Sequence, residues 1–101
     1  MRAHGPLVDE TIDAAPKDHP IEIGRGQCVR IFAVAEASVP DLDLTLLAPN
    51  GETLAVDGID DRWPILLPDR PICVADAGTY VIRVRARQGT GRYAMQAWLL
   101  P

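Results

Sequence analysis

Between Thr79 and Arg87 the side chains alternate. Tyr80, Ile82, Val84 and Ala86 fall on one side, and Val81, Arg83, Arg85 and Arg87 on the other. A period of two is that of a β-strand with one dry face and one wet one. The same parity runs through 41–46, where Leu42, Leu44 and Leu46 are dry and Asp41, Asp43 and Thr45 are wet. From Val29 to Ala35 nearly every residue except Arg30 is apolar, the pattern of a central strand covered on both faces. Nowhere do apolar residues recur at i, i+3, i+4 and i+7 over three turns, whereas Val, Ile, Thr and Tyr come in short bursts. The pattern excludes a helical core and predicts strands.

Seven strands are predicted, at 21–23, 27–36, 41–48, 53–57, 71–75, 79–87 and 92–99. Turn chemistry separates them: Gly24-Arg25-Gly26, Ser38-Val39-Pro40, Pro49-Asn50-Gly51, Ala77-Gly78 and Gln88-Gly89-Thr90-Gly91. Asn50-Gly51 is the clearest, because both residues tolerate the positive φ of a tight hairpin. Pro64, Pro68 and Pro71 cannot all sit inside a ladder, so 60–71 reads as an edge or a crossover. Trp63 and Trp98, the largest apolar groups, are expected to close the ends of the core. The fold class that results is all-β, an antiparallel sandwich of seven to eight strands. Residues 1–20 are polar and carry Pro6, Pro16 and Pro20. They are expected as a linker or loosely docked arm, with the sandwich domain at 21–101.

Composition narrows the function. A chain of 101 residues suits one domain, and with 48% apolar and 24% charged residues it can form a core and a solvated surface. Its net charge of −4 argues against a nucleic-acid or anionic-membrane partner, since either needs a clustered positive footprint. The longest apolar runs fall far below the roughly 20 residues of a membrane-spanning helix, so no membrane insertion is expected. The first residues lack the apolar stretch of a signal peptide, which places any export signal in a removed leader or a longer parent chain.

Candidate chemistry is sparse. The serine, Ser38, stands in a turn, both histidines, His4 and His19, fall in the expected arm, and no G-x-S-x-G, H-E-x-x-H, P-loop or G-x-G-x-x-G occurs. The sequence argues against an enzyme. Cys28 and Cys73 are too few for a zinc site unless His4 and His19 complete it, and the ligand spacings are missing. Both cysteines lie in strand-like segments, and a small exported domain gains much from one staple, so a disulfide is the favoured reading. Two buried free thiols in a cytosolic protein are the alternative. Asp57, Asp60 and Asp61 surround Gly58 and offer hard oxygen ligands, which makes calcium the one cofactor worth considering. Their plain reading is a solvated acidic loop. Arg83, Arg85 and Arg87, with Arg92, form a stripe that can grip carboxylates through bidentate hydrogen bonds. With an exposed Trp63 or Tyr93 beside it, the stripe would make a ligand-binding face. Its plain reading is a solvated face paired with acids on the adjacent strand.

Three stretches then carry a family resemblance. They are Asp41-Leu42-Asp43-Leu44-Thr45-Leu46-Leu47-Ala48-Pro49-Asn50-Gly51, Ala77-Gly78-Thr79-Tyr80-Val81-Ile82-Arg83-Val84 and Gly91-Arg92-Tyr93-Ala94-Met95. Together they resemble, in order and spacing, the bacterial pre-peptidase C-terminal domain family. The resemblance implies a jelly-roll-like β-sandwich, no catalysis, and an extracytoplasmic accessory role in secretion, folding or substrate adhesion. Its partners would be other domains of a parent chain, or an extracellular protein or carbohydrate. Calcium-binding members carry an Asp-x-Asp-like pair just before the second strand, where this chain reads Gly24-Arg25-Gly26-Gln27. The Cys28 and Cys73 pair is a second departure and fits export.

Overall fold

The computed structural model describes residues 2–13, 15–56 and 72–100, without the side chains of 2–9 and 100. Eight strands follow in order: β1 Arg2–Ile12, β2 Lys17–Ile23, β3 Cys28–Ala35, β4 Asp41–Leu47, β5 Thr53–Val56, β6 Ile72–Cys73, β7 Gly78–Gln88 and β8 Gly91–Leu100. They form two four-stranded antiparallel sheets, β1-β8-β3-β6 and β2-β7-β4-β5. The architecture is an antiparallel β-sandwich, as the alternation predicts.

The core lies between the sheets. Inward residues include Val29 and Ile31 from β3, Leu42, Leu44 and Leu46 from β4, Ile82 and Val84 from β7, and Tyr93 and Met95 from β8. Large groups face small ones. Ala33, Ala35, Ala86 and Ala97 are also inward and buried, and in the ladder Ala35 stands opposite Tyr93, Ala33 opposite Met95 and Ala86 opposite Leu42, small beside large as close packing requires. Tyr80 donates its hydroxyl to the Asp76 carbonyl at 2.6 Å, four residues upstream, so the buried ring keeps its polar end satisfied.

The structure corrects the reading of residues 1–20. Far from being a loosely docked arm, this stretch supplies β1 and the first four residues of β2. The prolines fit because both strands are sheet edges, where a missing N–H costs no ladder bond. Pro20 sits in β2, opposite Val81. Pro6 falls where the β1–β8 register shifts between His4 and Val8. Ile12 at the end of β1 is buried in the core.

The apolar run 29–35 is also not covered on both faces. Val29, Ile31, Ala33 and Ala35 point inward, while Arg30 and Phe32 are half-buried and Val34 is exposed on the outer face. Trp98 departs in the same way. Its neighbours Ala97 and Leu99 are buried, and Trp98 stands half-buried on the outer face rather than closing the core. Trp63 lies outside the described residues.

The β4–β5 hairpin turns on three residues. Gly51 N–H donates to the Ala48 carbonyl at 2.8 Å, and Ala48 N–H to the Glu52 carbonyl at 2.7 Å. Gly51 takes the left-handed region with φ of 88°. Asn50 instead accepts the Glu52 N–H through Oδ1 at 2.9 Å, an Asx-type contact.

Candidate binding faces

The sandwich leaves two outer sheet faces of opposite chemistry. On the β2-β7-β4-β5 sheet, the wet parity of β7 presents Arg83, Arg85 and Arg87, as the sequence predicts. The strands on either side bring acids to meet them. Arg83 makes a two-pronged contact with Asp18 of β2, Nε to Oδ1 at 2.8 Å and Nη2 to Oδ2 at 3.0 Å. This hydrogen bond, reinforced by the charge of the guanidinium, holds the Asp18 carboxyl below its ordinary range. Arg87 Nε approaches Asp43 at 3.5 Å and Asp41 at 4.0 Å, and Arg85 stands opposite Asp43 in the ladder. The arginine stripe thus lies in a charge-alternating face with its counter-charges in place. Tyr93 does not join it: the ring is 2% exposed and faces the core.

The other face was not visible as a site in the sequence. On β3 the outward residues are Arg30, Phe32 and Val34, and on β8 they are Trp98, Gln96 and Ala94. The ladder sets Arg30 opposite Trp98, Phe32 opposite Gln96 and Val34 opposite Ala94. Two shallow hollows continue along this line. One, of about 260 Å³, runs over Phe32, Val34, Ala94 and Gln96. The next, of about 340 Å³, runs from Val34 and Ala94 to Glu36 and Arg92. The signal that could have found this strip is the parity of β8: once Tyr93, Met95 and Leu99 are inward, Trp98 must be outward.

At the near edge of the strip the two cysteines meet. Cys28 and Cys73 are directly paired across β3 and β6 and form a disulfide with an S–S distance of 1.97 Å. Their bond closes a 45-residue separation. The pairing is supported by Val74 N–H donating to the Gln27 carbonyl and Gly26 N–H to the Val74 carbonyl, both at 3.0 Å.

A polar cluster joins the two sheets at their β1 and β2 edges. His19 Nε2 lies 2.6 Å from the Tyr93 hydroxyl, and the Glu10 carboxylate, on the residue paired with Tyr93, is the hydroxyl's second partner. Burial, with the negative charge of Glu10, pushes the Tyr93 phenol well above its ordinary range. The arrangement keeps the phenol protonated and tied to both sheets.

Asp57, Asp60 and Asp61, the expected calcium ligands, lie outside the described residues. Among the described residues no group of three or more His, Cys, Asp or Glu side chains could hold a metal ion. The Gly24–Gln27 turn is closed by its own hydrogen bonds, Gln27 N–H to the Gly24 carbonyl and Gly24 N–H to Gln27 Oε1. The turn carries one cation, Arg25, and no carboxylate.

Fold and faces together define a small two-sheet sandwich stapled by one disulfide, with one charge-paired face and one aromatic face. No protein-family model and no curated protein sequence matches the chain. Among solved structures it is similar to PliG of Aeromonas hydrophila, a periplasmic lysozyme inhibitor of g-type lysozyme. The TM-score is 0.72 at 11% identity, over 97% of this chain and 88% of that one. At that identity the likeness establishes the fold.

Proposed function

We propose that this chain is a non-catalytic accessory domain of an exported protein, working outside the cytoplasm by binding rather than by chemistry. The observation that carries the reading is the fold likeness along nearly the whole chain to a periplasmic inhibitor, a protein whose task is binding. The Cys28–Cys73 disulfide supports the compartment, because such bonds persist where the environment is oxidising. The pre-peptidase C-terminal resemblance supports the accessory role and supplies a second reading, a module that stabilises or spaces a larger exported chain. The internally paired arginine stripe favours that second reading for the β2-β7-β4-β5 face, and the aromatic strip favours binding for the opposite one.

The test is the thiol state of the chain recovered from the periplasm and from a reducing cytoplasm, read by intact mass after alkylation. The expected result is a fully oxidised, more heat-stable chain from the periplasm and a reduced, less stable one from the cytoplasm. A chain whose thiols stay free in the periplasm, with no loss of stability, would overturn the assignment.

A further inference from the structure

We propose that the outer strip of β3 and β8 is a binding site for a linear glycan, a chain one pyranose ring wide, lying along the two strands. The proposal rests on the binding reading above and names its ligand class. Phe32 and Trp98 occupy the same outer face on diagonal ladder positions, which brings their backbones within about 7–8 Å. A pyranose ring has a C–H face that packs on an aromatic plane and a rim of hydroxyls that needs polar partners in the same plane. The ladder supplies such a partner for each ring: Arg30 stands across from Trp98, and Gln96 across from Phe32. The guanidinium is a planar multiple donor. The Gln96 amide donates one N–H to the Ala97 carbonyl at 3.1 Å, and its chemistry leaves a second donor and the carbonyl oxygen for a ligand.

Two strands about 4.8 Å apart and eight residues of β3 give the strip a plan of roughly 270 Å², long and narrow, which suits a single chain of rings. Within the strip, the side chain of Ala94 is small enough to leave the two hollows on either side of the Val34–Ala94 pair. Rings, polar partners and hollows therefore fall along one strand pair. That is the shape of a site for a chain, whereas a compact ligand would need an enclosed pocket.

Affinity electrophoresis of the oxidised full chain tests this, in gels containing hydroxyethylcellulose or laminarin as neutral probes and alginate as the acidic one. Retardation by at least one is expected. Trp98→Ala and Phe32→Ala should each weaken it about tenfold or more, with Val56→Ser, on the opposite sheet, unchanged. If Trp98→Ala does not fold, Gln96→Ala and Arg30→Ala, whose side chains face away from the core, should weaken binding while keeping the native circular dichroism spectrum. Retardation by only the acidic gel would assign the ligand as anionic, and by the neutral gels as neutral. No retardation in any gel, or retardation indifferent to all four strip substitutions, overturns the site. A g-type lysozyme added in solution distinguishes the two proposals: lysozyme binding abolished by Trp98→Ala would overturn the glycan and leave the binding reading standing.

Discussion

Gly89 shows how much one residue can fix. Its φ is 81°, and a Cβ placed there would come within 1.9 Å of the Ser38 carbonyl oxygen. Strain and overlap therefore act together. Gly89→Ala should lose at least about 2 kcal/mol of stability in urea titrations, more than Gly51→Ala, where a Cβ meets nothing within 4 Å. Tyr93 gives a second residue-scale prediction. Its phenol is held above the ordinary value of 10.0 in the folded protein, so the unfolded chain releases this proton first as pH rises. Stability linked to Tyr93 is whole below pH 10 and falls as pH climbs above it. Tyr93→Phe should flatten the alkaline decline of the melting temperature between pH 9.5 and 11.5, in the order-of-magnitude sense of linkage. Asp18 works in the opposite direction. Its folded carboxyl lies below the ordinary 3.8, so its contribution is present above that pH and lost as pH falls through the folded value. Because both partners are about half exposed, the contribution is small.

At the scale of elements, β6 is the most dependent strand. It has two residues, and it joins the sheet through two ladder pairs to β3. A strand that short cannot hold itself in place, so the disulfide is its main attachment. The chain-entropy argument gives roughly 4 kcal/mol as an upper figure for a loop of this length. Paired Cys28→Ser and Cys73→Ser substitutions should lower stability by about 2–4 kcal/mol, with the earliest loss of amide protection at Val29 and Ile72. Strand β4 makes the opposite case. Leu44 is fully buried at the sheet centre, and Leu44→Ala should cost about 3 kcal/mol in chemical denaturation without altering the β3–β8 strip. The sheet edges also follow one rule. β1 is bent by its register shift and Pro6, β2 carries Pro20 with exposed Asp18 and Glu22, and β5 and β6 are short. Each is a poor template for another chain's strand.

At the scale of the whole molecule, the chain closes on itself: the first strand pairs with the last, Arg2 opposite Leu99. Every strand in turn crosses between the sheets except at the β4–β5 hairpin. One sheet needs everything from β2 to β7 and the other everything from β1 to β8, so no short piece holds a complete sheet and folding is expected to be cooperative over nearly the full length. A chain trimmed to 21–101 loses β1 and the greater part of β2 and lays bare the long edges of β7 and β8. It is expected to aggregate or stay unfolded by gel filtration and circular dichroism. A trimmed chain that folds with native stability would mean that the first twenty residues are an appendage after all.

By itself the sequence determined the fold class, because period-two alternation in 41–46 and 79–87 can be satisfied only by strands with one dry face. It also placed the Pro49–Gly51 turn and the wet parity of Arg83, Arg85 and Arg87. Local chemistry decides those features, so local reading finds them. The tertiary structure decided which apolar residues go inside. Trp98 is more hydrophobic than Ala97, yet the pleat that turns Met95 and Leu99 inward turns Ala97 inward with them and Trp98 outward. It also decided that the proline-bearing beginning of the chain is sheet, since whether a proline is tolerated depends on being at an edge, and edges exist only once strands are ordered in space. The same holds for the aromatic strip: Phe32 and Trp98 lie 66 positions apart in the sequence, and only the antiparallel register of β3 and β8 makes them neighbours.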